Sequence, residues 1–285
     1  MAISDNILTW FNGAWTRGNV PVMGSADHAT WLGSMVFDGA RAFEGVMPDL
    51  DLHCRRIVRS ADAMGYDSPV DAETIEAIIR EGVAMFPAGA ELYLRPMIWS
   101  TEGDVTMLGA DRASGAYAIC IEELPMGGIG EYALTVSPYR RPRPDMALTE
   151  AKAACLYPNN ARIAQEAVKR GFRTALSLDV DDNVAETSST NVFMVRDGEV
   201  FTPAPNGTFL NGITRQRTIA LLQADGIKVT ETALKVADFE QADEIFLTGN
   251  AFKITPVTRF EDRELPIKTG THVRELYWDY ALSEK

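Results

Sequence analysis

A glycine-rich stretch near the middle of the chain is the feature that most constrains how it can fold. Residues 125–130 contain three glycines and one proline within a sequence of 285 residues. Glycine and proline interrupt regular secondary structure, so such a segment suits a connection between two folded regions. We therefore expect an N-terminal domain over residues 1–124, a linker over 125–130 and a larger domain over 131–285. A chain of this length can form two hydrophobic cores.

The first half of the chain carries signals for both strands and helices. Asn12-Gly13 is a strong hairpin turn signal between two short apolar runs, so we expect strands over residues 8–11 and 14–16. Apolar residues at helical spacing predict two helices, and apolar runs bounded by polar turns predict two further strands. The helices are expected over residues 53–65 and 72–86, and the strands over residues 91–100 and 115–122.

The second half continues with the same mixture of signals, and it contains no internal repeat. Strands are expected over residues 132–137, 174–180, 192–196, 200–202 and 244–247. Helices are expected over residues 159–170 and 214–224, and a glycine follows each of them closely. The whole pattern predicts a protein of the mixed α/β (α+β) class.

Composition and charge narrow the classes of partner. The formal net charge of -13 comes from scattered Asp and Glu, which repel polyanions, so no nucleic acid is expected. Cys54, Cys120 and Cys155 form no CxxC pair and the three histidines lack ligand spacing, so we expect no disulfide framework and no metal. No segment reads as a signal peptide or a membrane span, so we expect a cytoplasmic protein without a membrane partner.

Lys152 stands out among the lysines because small and apolar residues surround it, in the stretch Ala151-Lys152-Ala153-Ala154-Cys155-Leu156. Most lysines of a folded protein are solvated surface charges. Apolar surroundings disfavour the ammonium form and lower the pKa of the amine, which makes a lysine a nucleophile for Schiff-base formation. A lysine at the edge of a strand is the alternative interpretation.

Other polar residues each allow a ligand-binding and a structural interpretation. Glu186 lies at the end of a predicted strand, where its carboxylate suits either a cationic ring nitrogen or a surface turn. Residues 212–215 precede a helix. The first N–H groups of this helix would either bind a phosphate or be satisfied by an ordinary Asn or Thr helix cap. Residues 248–251 form a second candidate anion-binding turn. Arg56 and Arg95 lie among apolar neighbours, so each charge needs either a ligand anion or a buried salt bridge.

Seven segments, in their order along the chain, resemble motifs of the class IV (fold-type IV) aminotransferases, in particular the branched-chain amino-acid aminotransferases. Together the segments span nearly the whole chain. They are Val36-Phe37-Asp38-Gly39-Ala40-Arg41, His53-Cys54-Arg55-Arg56, Tyr93-Leu94-Arg95-Pro96, Ala151-Lys152, Glu186 through Asn191-Val192-Phe193, Gly212-Ile213-Thr214-Arg215, and Thr248-Gly249-Asn250-Ala251 with Ile254-Thr255-Pro256-Val257.

The resemblance implies a two-domain enzyme, usually a homodimer or higher homo-oligomer. Pyridoxal 5'-phosphate (PLP) is expected between a smaller N-terminal α/β domain and a larger C-terminal domain with a mixed, barrel-like sheet, like that of D-amino-acid aminotransferases. Lys152, in the larger domain, would carry PLP as a Schiff base (the internal aldimine), while Glu186 pairs with the pyridine nitrogen and Tyr157 hydrogen-bonds the phenolic oxygen. Ser189 lies among the small residues that leave room for the ring. The expected phosphate contacts are Arg56, Ile213, Thr214 and Asn250.

The resemblance also implies transamination between a branched-chain L-amino acid and 2-oxoglutarate, so the expected partners are amino acids and 2-oxo acids. Arg95, next to Tyr93, is expected to receive the distal carboxylate of glutamate or 2-oxoglutarate. Phe37 is expected to shape an apolar pocket for the substrate side chain. The backbone N–H of Ala251 is expected to bind the α-carboxylate.

Four departures from the family pattern leave the substrate open. Asn250 replaces a small hydroxyl residue, and Ala154-Cys155 replaces a glycine and an asparagine. Residues 187–190 resemble the D-amino-acid branch, and so does the proline in Tyr157-Pro158-Asn159. The alternatives on the same scaffold are a D-amino-acid aminotransferase, an (R)-amine aminotransferase and an aminodeoxychorismate lyase, and Arg95 disfavours the last two. A non-catalytic small-molecule-binding protein is the remaining alternative, and such a protein would not need Lys152.

Overall fold

The computed structural model describes residues 6–283 and contains two compact units. Unit 1 holds residues 6–126 and Glu150–Cys155, and unit 2 holds Gly127–Thr149 and Leu156–Ser283. The segment with Lys152 therefore packs with unit 1, whereas its position in the sequence predicts the second domain. The expected boundaries around the linker at 125–130 stay a prediction. Within residues 6–283 no helix has the length and apolar character needed to cross a membrane.

Unit 1 is built on one antiparallel sheet. The sheet has the strand order β2-β1-β6-β5-β3, and β4 also pairs with β5. Its elements are β1 (Ile7–Phe11), β2 (Ala14–Arg17), α1 (His28–Leu32), β3 (Met35–Phe37), β4 (Ala40–Ala42), α2 (Leu50–Ala63), α3 (Ala72–Val83), β5 (Leu92–Ser100) and β6 (Gly115–Glu123).

The hairpin predicted at Asn12-Gly13 is confirmed. β1 and β2 pair antiparallel around these two residues, whose φ angles are 51° and 83°. A two-residue turn of this kind needs positive φ at both central positions, which asparagine and glycine tolerate. The two predicted helices are also confirmed, although α2 already begins at Leu50 and α3 ends at Val83.

The two faces of the unit 1 sheet differ in character. One face carries Leu94, Ile98 and Ile121, all of them fully buried. Helix α3 packs closely against this face, because a Cβ atom on Gly82 would lie only 2.7 Å from Ile121 Cδ1. The opposite face carries the alternate residues of β5 and β6, among them Arg95. This second face is where the candidate substrate residues of unit 1 lie.

Unit 2 contains two mixed five-stranded sheets, which confirms the expected mixed α/β character of the second half. Their strand orders are β12-β11-β10-β13-β14 and β16-β15-β7-β8-β9. The elements are β7 (Ala133–Arg140), α4 (Tyr157–Lys169), β8 (Thr174–Leu178), β9 (Val184–Glu186), β10 (Asn191–Arg196), β11 (Glu199–Pro203), α5 (Ile213–Ala224), β12 (Val229–Thr232), α6 (Val236–Glu240), β13 (Glu244–Gly249), β14 (Lys253–Val257), β15 (Arg259–Phe260), β16 (Arg263–Glu264) and α7 (Lys268–Leu282).

The two sheets of unit 2 share one hydrophobic core. Buried residues from both sheets meet there, including Leu134 and Leu176 from one sheet and Val192 and Leu247 from the other. Helices α5 and α7 contact the first sheet at β13. Because successive side chains of a strand alternate between faces, this arrangement buries β10 and β13 on both sides.

Candidate active site

Lys152 lies in unit 1, in a short segment held against β3. Its carbonyl accepts a hydrogen bond from the Phe37 N–H at 3.1 Å, and its own N–H donates to Ser60 Oγ at 3.1 Å. Ala151 and Ala153 are buried on either side, as the small apolar surroundings predicted. The Lys152 Nζ atom lies 4.9 Å from the centre of the Phe37 ring. The segment is therefore fixed, with the amine over an aromatic face.

Tyr93 and Arg95 lie on the same face of the sheet as Phe37. β3 pairs with β5 so that Phe37 is opposite Met97, and alternate residues of β5 point to the same side. The Arg95 Cζ atom lies 5.0 Å from the centre of the Tyr93 ring. The structure thus brings three predicted substrate residues to one surface, and Phe37 among them contacts Lys152.

Arg95 is paired with a carboxylate of the protein itself. Glu122 on β6 forms an ion pair with Arg95, and Cys120 Sγ accepts a long hydrogen bond from Arg95 Nη1 at 3.9 Å. Burial acts to lower the pKa of the Arg95 guanidinium, but Tyr93 and Glu122 outweigh this effect and raise the pKa above its ordinary value. Arg95 is therefore charged, and its charge is compensated within unit 1.

Arg56 on α2 is held by a fully buried carboxylate. Asp38 accepts hydrogen bonds from Arg56 Nε at 2.6 Å and from Nη2 at 2.7 Å. Asp38 Oδ1 also accepts from His53 Nδ1 and from the Gly39 N–H, both at 2.7 Å. Burial acts to raise the pKa of Asp38, but Arg56 and His53 outweigh it and hold the pKa well below its usual range. The guanidinium is therefore fixed, and Nη1 lies outside this two-point contact.

Glu186, the last residue of β9, is 7% exposed and is held by two polar side chains of unit 2. Arg141 Nη2 lies 3.0 Å from Glu186 Oε1, and Asn191 Nδ2 lies 3.4 Å from Oε2. Arg141 in turn donates to Asn160 Oδ1 at 2.5 Å. The arginine places an opposite charge beside the carboxylate, and the two contacts fix its orientation. The arrangement suits a carboxylate that faces a cationic ring nitrogen.

The N-terminus of α5 lies beside Asn191, the residue that also contacts Glu186. A Cβ atom on Gly212 would lie 2.2 Å from Asn191 Oδ1, so the approach requires glycine. Ile213 and Thr214 begin the helix, and N–H groups of a first helical turn have no acceptor within the helix. Unit 2 therefore places a partly positive helix end in the neighbourhood of Glu186, as the phosphate-site prediction requires.

Two polar turns of unit 2 are in close contact. Ser189 lies in a turn closed by a hydrogen bond of 2.8 Å from the Thr187 N–H to the Thr190 carbonyl. Ala251 lies in the second turn, which follows β13. A Cβ atom on Gly249 would lie 2.6 Å from Thr190 Cγ2, so the two turns can approach only because position 249 is glycine.

Asn250 lies in the second of these turns. Its side-chain oxygen accepts a hydrogen bond, whereas its side-chain nitrogen donates none within the described residues. The buried Lys253 donates from Nζ to Asn250 Oδ1 at 2.7 Å. Asn250 Nδ2 is buried and has no hydrogen-bond partner in the part of the chain that the structure describes. Because buried donors are almost always satisfied, this atom points to an acceptor supplied by a ligand. Its use for the phosphate, in place of the small hydroxyl residue of the family pattern, stays a prediction.

Tyr157 begins α4, directly after a 3-10 turn at Ala154–Leu156. Pro158 follows it in the first turn of the helix, where proline is well tolerated. The position of Tyr157 is thus fixed by a helix start, and its role toward a phenolic oxygen stays a prediction.

Each unit, taken by itself, carries groups whose chemistry suits one part of PLP. Lys152 supplies a primary amine and Glu186 an oriented carboxylate. The first turn of α5 and the buried Asn250 Nδ2 supply donors for a phosphate. Arg56 adds a guanidinium that is held in place. Among residues 6–283, no cluster of His, Cys, Asp or Glu could hold a metal ion.

Comparison with known proteins decides the family. Residues 35–260 match the family described as amino-transferase class IV. The chain belongs to this family. It is a PLP-dependent aminotransferase of fold-type IV, as the resemblance implied.

Relatives of this class IV aminotransferase include branched-chain enzymes. The branched-chain-amino-acid aminotransferase of Escherichia coli (strain K12) is 34% identical over 266 residues, which cover 87% of this chain and 83% of that protein. A crystal structure of an aminotransferase from Brucella abortus bound to PLP is 50% identical, with a TM-score of 0.95 and coverage of 96% and 99%. The branched-chain aminotransferase from Thermoproteus uzoniensis with norvaline is 28% identical, with a TM-score of 0.88 and coverage of 98% and 95%.

Five residues hold the predicted site residues of this aminotransferase but were not themselves predicted from the sequence. They are Asp38, His53, Glu122, Arg141 and Lys253. A signal existed for two of them, because His53 and Arg56 are three positions apart on one helix face, and Asp38 is a lone charge in an apolar stretch. The other three are distant in sequence or lie among polar residues, and no local pattern marks them.

Proposed function

We propose that this aminotransferase moves the amino group between L-leucine, L-isoleucine or L-valine and 2-oxoglutarate. The observation that carries the proposal is the unit 1 surface that Phe37, Tyr93 and Arg95 share, with the Lys152 amine over the Phe37 ring. Phe37 and Met97 offer apolar contact to a branched side chain, and Arg95 offers a cation to a second carboxylate. The relatives named branched-chain aminotransferases, one of them with norvaline, support this substrate class.

The proton transfer falls to Lys152. In the proposal its amine would hold PLP and, once freed by the amino substrate, would move the proton at the substrate Cα atom. PLP, when bound, supplies an electron sink for the negative charge that develops at Cα. Glu186, held by Arg141, keeps a proton on the ring nitrogen. Tyr157 donates its hydroxyl hydrogen bond to the phenolic oxygen.

Binding of the phosphate and of the α-carboxylate uses separate donors. Arg56 contributes charge, and its fixed guanidinium lowers the entropy lost on binding. Ala251 offers its backbone N–H to the α-carboxylate. Ser189 lies in the turn that the hydrogen bond from the Thr187 N–H to the Thr190 carbonyl closes. The remaining proposed phosphate ligands are Ile213, Thr214 and Asn250.

A homo-oligomer, at least a dimer, in the cytoplasm completes the proposal. Cys54, Cys120 and Cys155 form no disulfide, which supports a reducing compartment. Light scattering of the purified protein at several concentrations measures its mass. A mass of one chain at every concentration would contradict the oligomer.

The test of the substrate class is the half-reaction of the holoenzyme with single donors, followed by loss of its visible absorbance band. We expect L-leucine, L-isoleucine and L-valine to remove the band and D-alanine and (R)-1-phenylethylamine to leave it, with Lys152→Ala unresponsive to all. A response to D-alanine or to the amine alone would assign the protein to one of the alternative aminotransferases. Release of pyruvate from aminodeoxychorismate would assign it to the lyases.

A further inference from the structure

Glu122 occupies the position from which it can control Arg95. In the antiparallel pair of β5 and β6, Tyr93 is opposite Glu122 and Arg95 is opposite Cys120. Paired positions share a face and diagonal neighbours lie within reach of long side chains, so Glu122 and Arg95 meet over the sheet. Their side chains form an ion pair and are only 10% and 26% exposed, respectively. The guanidinium that would receive a substrate carboxylate thus already has a carboxylate beside it.

A substrate with a second carboxylate would bring a like charge next to Glu122. Glu122 is largely buried, so it cannot turn into solvent without leaving the ion pair. Two carboxylates at one guanidinium repel each other, and dividing the donors between them weakens each contact. A substrate with an apolar side chain meets no such competition, because the pair of Arg95 and Glu122 is neutral as a whole.

We propose that Glu122 is a specificity-determining residue that neutralises Arg95 and thereby disfavours dicarboxylate substrates relative to substrates with uncharged side chains. 2-Oxoglutarate, the acceptor in the proposed function, then binds in competition with Glu122 and more weakly than 2-oxo acids with uncharged side chains. The inference rests on the proposed function for the placement of Arg95 at the distal end of the substrate. It adds a residue, Glu122, to which the family resemblance gives no part.

The experiment compares two unreactive ligands that differ in one carboxylate. Glutarate resembles 2-oxoglutarate, and 4-methylpentanoate resembles the carbon skeleton of leucine, so neither needs turnover to be measured. Isothermal titration calorimetry of the holoenzyme gives the Kd of each ligand. In the wild type we expect 4-methylpentanoate to bind at least about tenfold more tightly than glutarate, since a like charge beside a binding site costs on that order.

Glu122→Gln keeps the shape of the side chain and removes its charge. We expect the ratio of the two dissociation constants to shift about tenfold toward glutarate. Glu123→Gln is the matched control, because Glu123 is the next residue of β6 and points to the opposite face of the sheet. It removes the same charge from the chain, and we expect it to leave the ratio unchanged.

A purely structural ion pair would give a different outcome. If Glu122 only braces the sheet, Glu122→Gln lowers the melting temperature and leaves the ratio as in the wild type, which would overturn the inference. Glutarate that binds the wild type as tightly as 4-methylpentanoate would overturn it without any variant. Adding Arg95→Gln to Glu122→Gln should remove the gain in glutarate affinity, and a gain that persists would also contradict the proposal.

The proposed function is tested separately by the half-reaction with L-leucine on the same protein samples. Conversion by L-leucine together with an unchanged ratio refutes the role of Glu122 and leaves the proposed function standing. A shifted ratio without conversion by L-leucine refutes the proposed donor and leaves the role of Glu122 standing.

Discussion

Replacing Asp38 with asparagine removes the charge that holds Arg56 in place. Asp38 accepts four hydrogen bonds at 2.6 to 2.7 Å, two from Arg56, one from His53 and one from the Gly39 N–H. Asparagine keeps the size of the side chain, but its amide nitrogen cannot accept a hydrogen bond. Removing one partner of a buried ion pair costs about 3 to 5 kcal/mol, and we expect about 3 kcal/mol. The lower end applies because the Arg56 side chain is 14% exposed.

The readout is the free energy of unfolding of the apoprotein, measured by urea denaturation with circular dichroism. Asp51→Asn is the matched control, since Asp51 pairs with Arg55 on the surface of α2 at 3.6 Å. An exposed pair of this kind contributes about 0.3 to 0.5 kcal/mol, so the control should unfold almost as the wild type does. A free energy of unfolding of Asp38→Asn within about 0.5 kcal/mol of the wild-type value would refute the reasoning. The pair of Asp38 and Arg56 would then contribute no more than an exposed ion pair does.

The same substitution predicts a dependence on pH. The pKa of Asp38 is held well below its usual range in the folded protein, whereas an unfolded chain gives an aspartate pKa of about 3.9. Its stabilising contribution is therefore fully present above about pH 5 and is lost as the pH falls below about 4. The difference between wild type and Asp38→Asn should shrink by about 1 kcal/mol at pH 3. A difference that stays constant from neutral pH to pH 3 would contradict this account.

Three further substitutions test individual contacts. Gly39→Ala would place a Cβ atom 2.2 Å from Tyr93 Oη, so Tyr93 must move. We expect steady-state kinetics to show a KM for L-leucine raised about tenfold, with PLP still bound. Lys253→Met removes the donor that orients Asn250, and fluorescence titration of the apoprotein should show PLP binding weakened about tenfold. Glu186→Gln removes the charge assigned to the ring nitrogen, so stopped-flow absorbance should show the half-reaction with L-leucine slowed about 100-fold.

Elements that depend only on neighbouring residues could be predicted from the sequence. The hairpin at Asn12-Gly13 depends on two backbone conformations that these residues favour by themselves, and it forms where predicted. Helix α7 was not predicted, although Val273, Tyr277 and Ala281 recur at a spacing of one helical turn and are buried. The short strands β3 and β4 were also not predicted, because their pairing with β5 depends on the fold.

The site shows the same division between local and long-range causes. The apolar neighbours of Arg56 and Arg95 correctly indicated that each charge needs a partner. The partners are Asp38, 18 residues earlier, and Glu122, 27 residues later, and sequence spacing does not identify them. Lys152 belongs to no named strand, but its carbonyl accepts from the Phe37 N–H and the next residue bridges to β3, so it lies along the edge of that strand. Its contact with Phe37 follows from that bridge and not from its neighbours in sequence.

The measurement that tests the central claim most directly is the location of the cofactor on the chain. The holoenzyme is treated with sodium borohydride, which makes the bond between lysine and cofactor permanent, and is then digested and mapped by mass spectrometry. We expect the phosphopyridoxyl group on the peptide that contains Lys152, and its loss when excess L-leucine is added before the borohydride. A label on a different lysine, or an unlabelled Lys152 peptide from protein that has its visible absorbance band, would contradict the account.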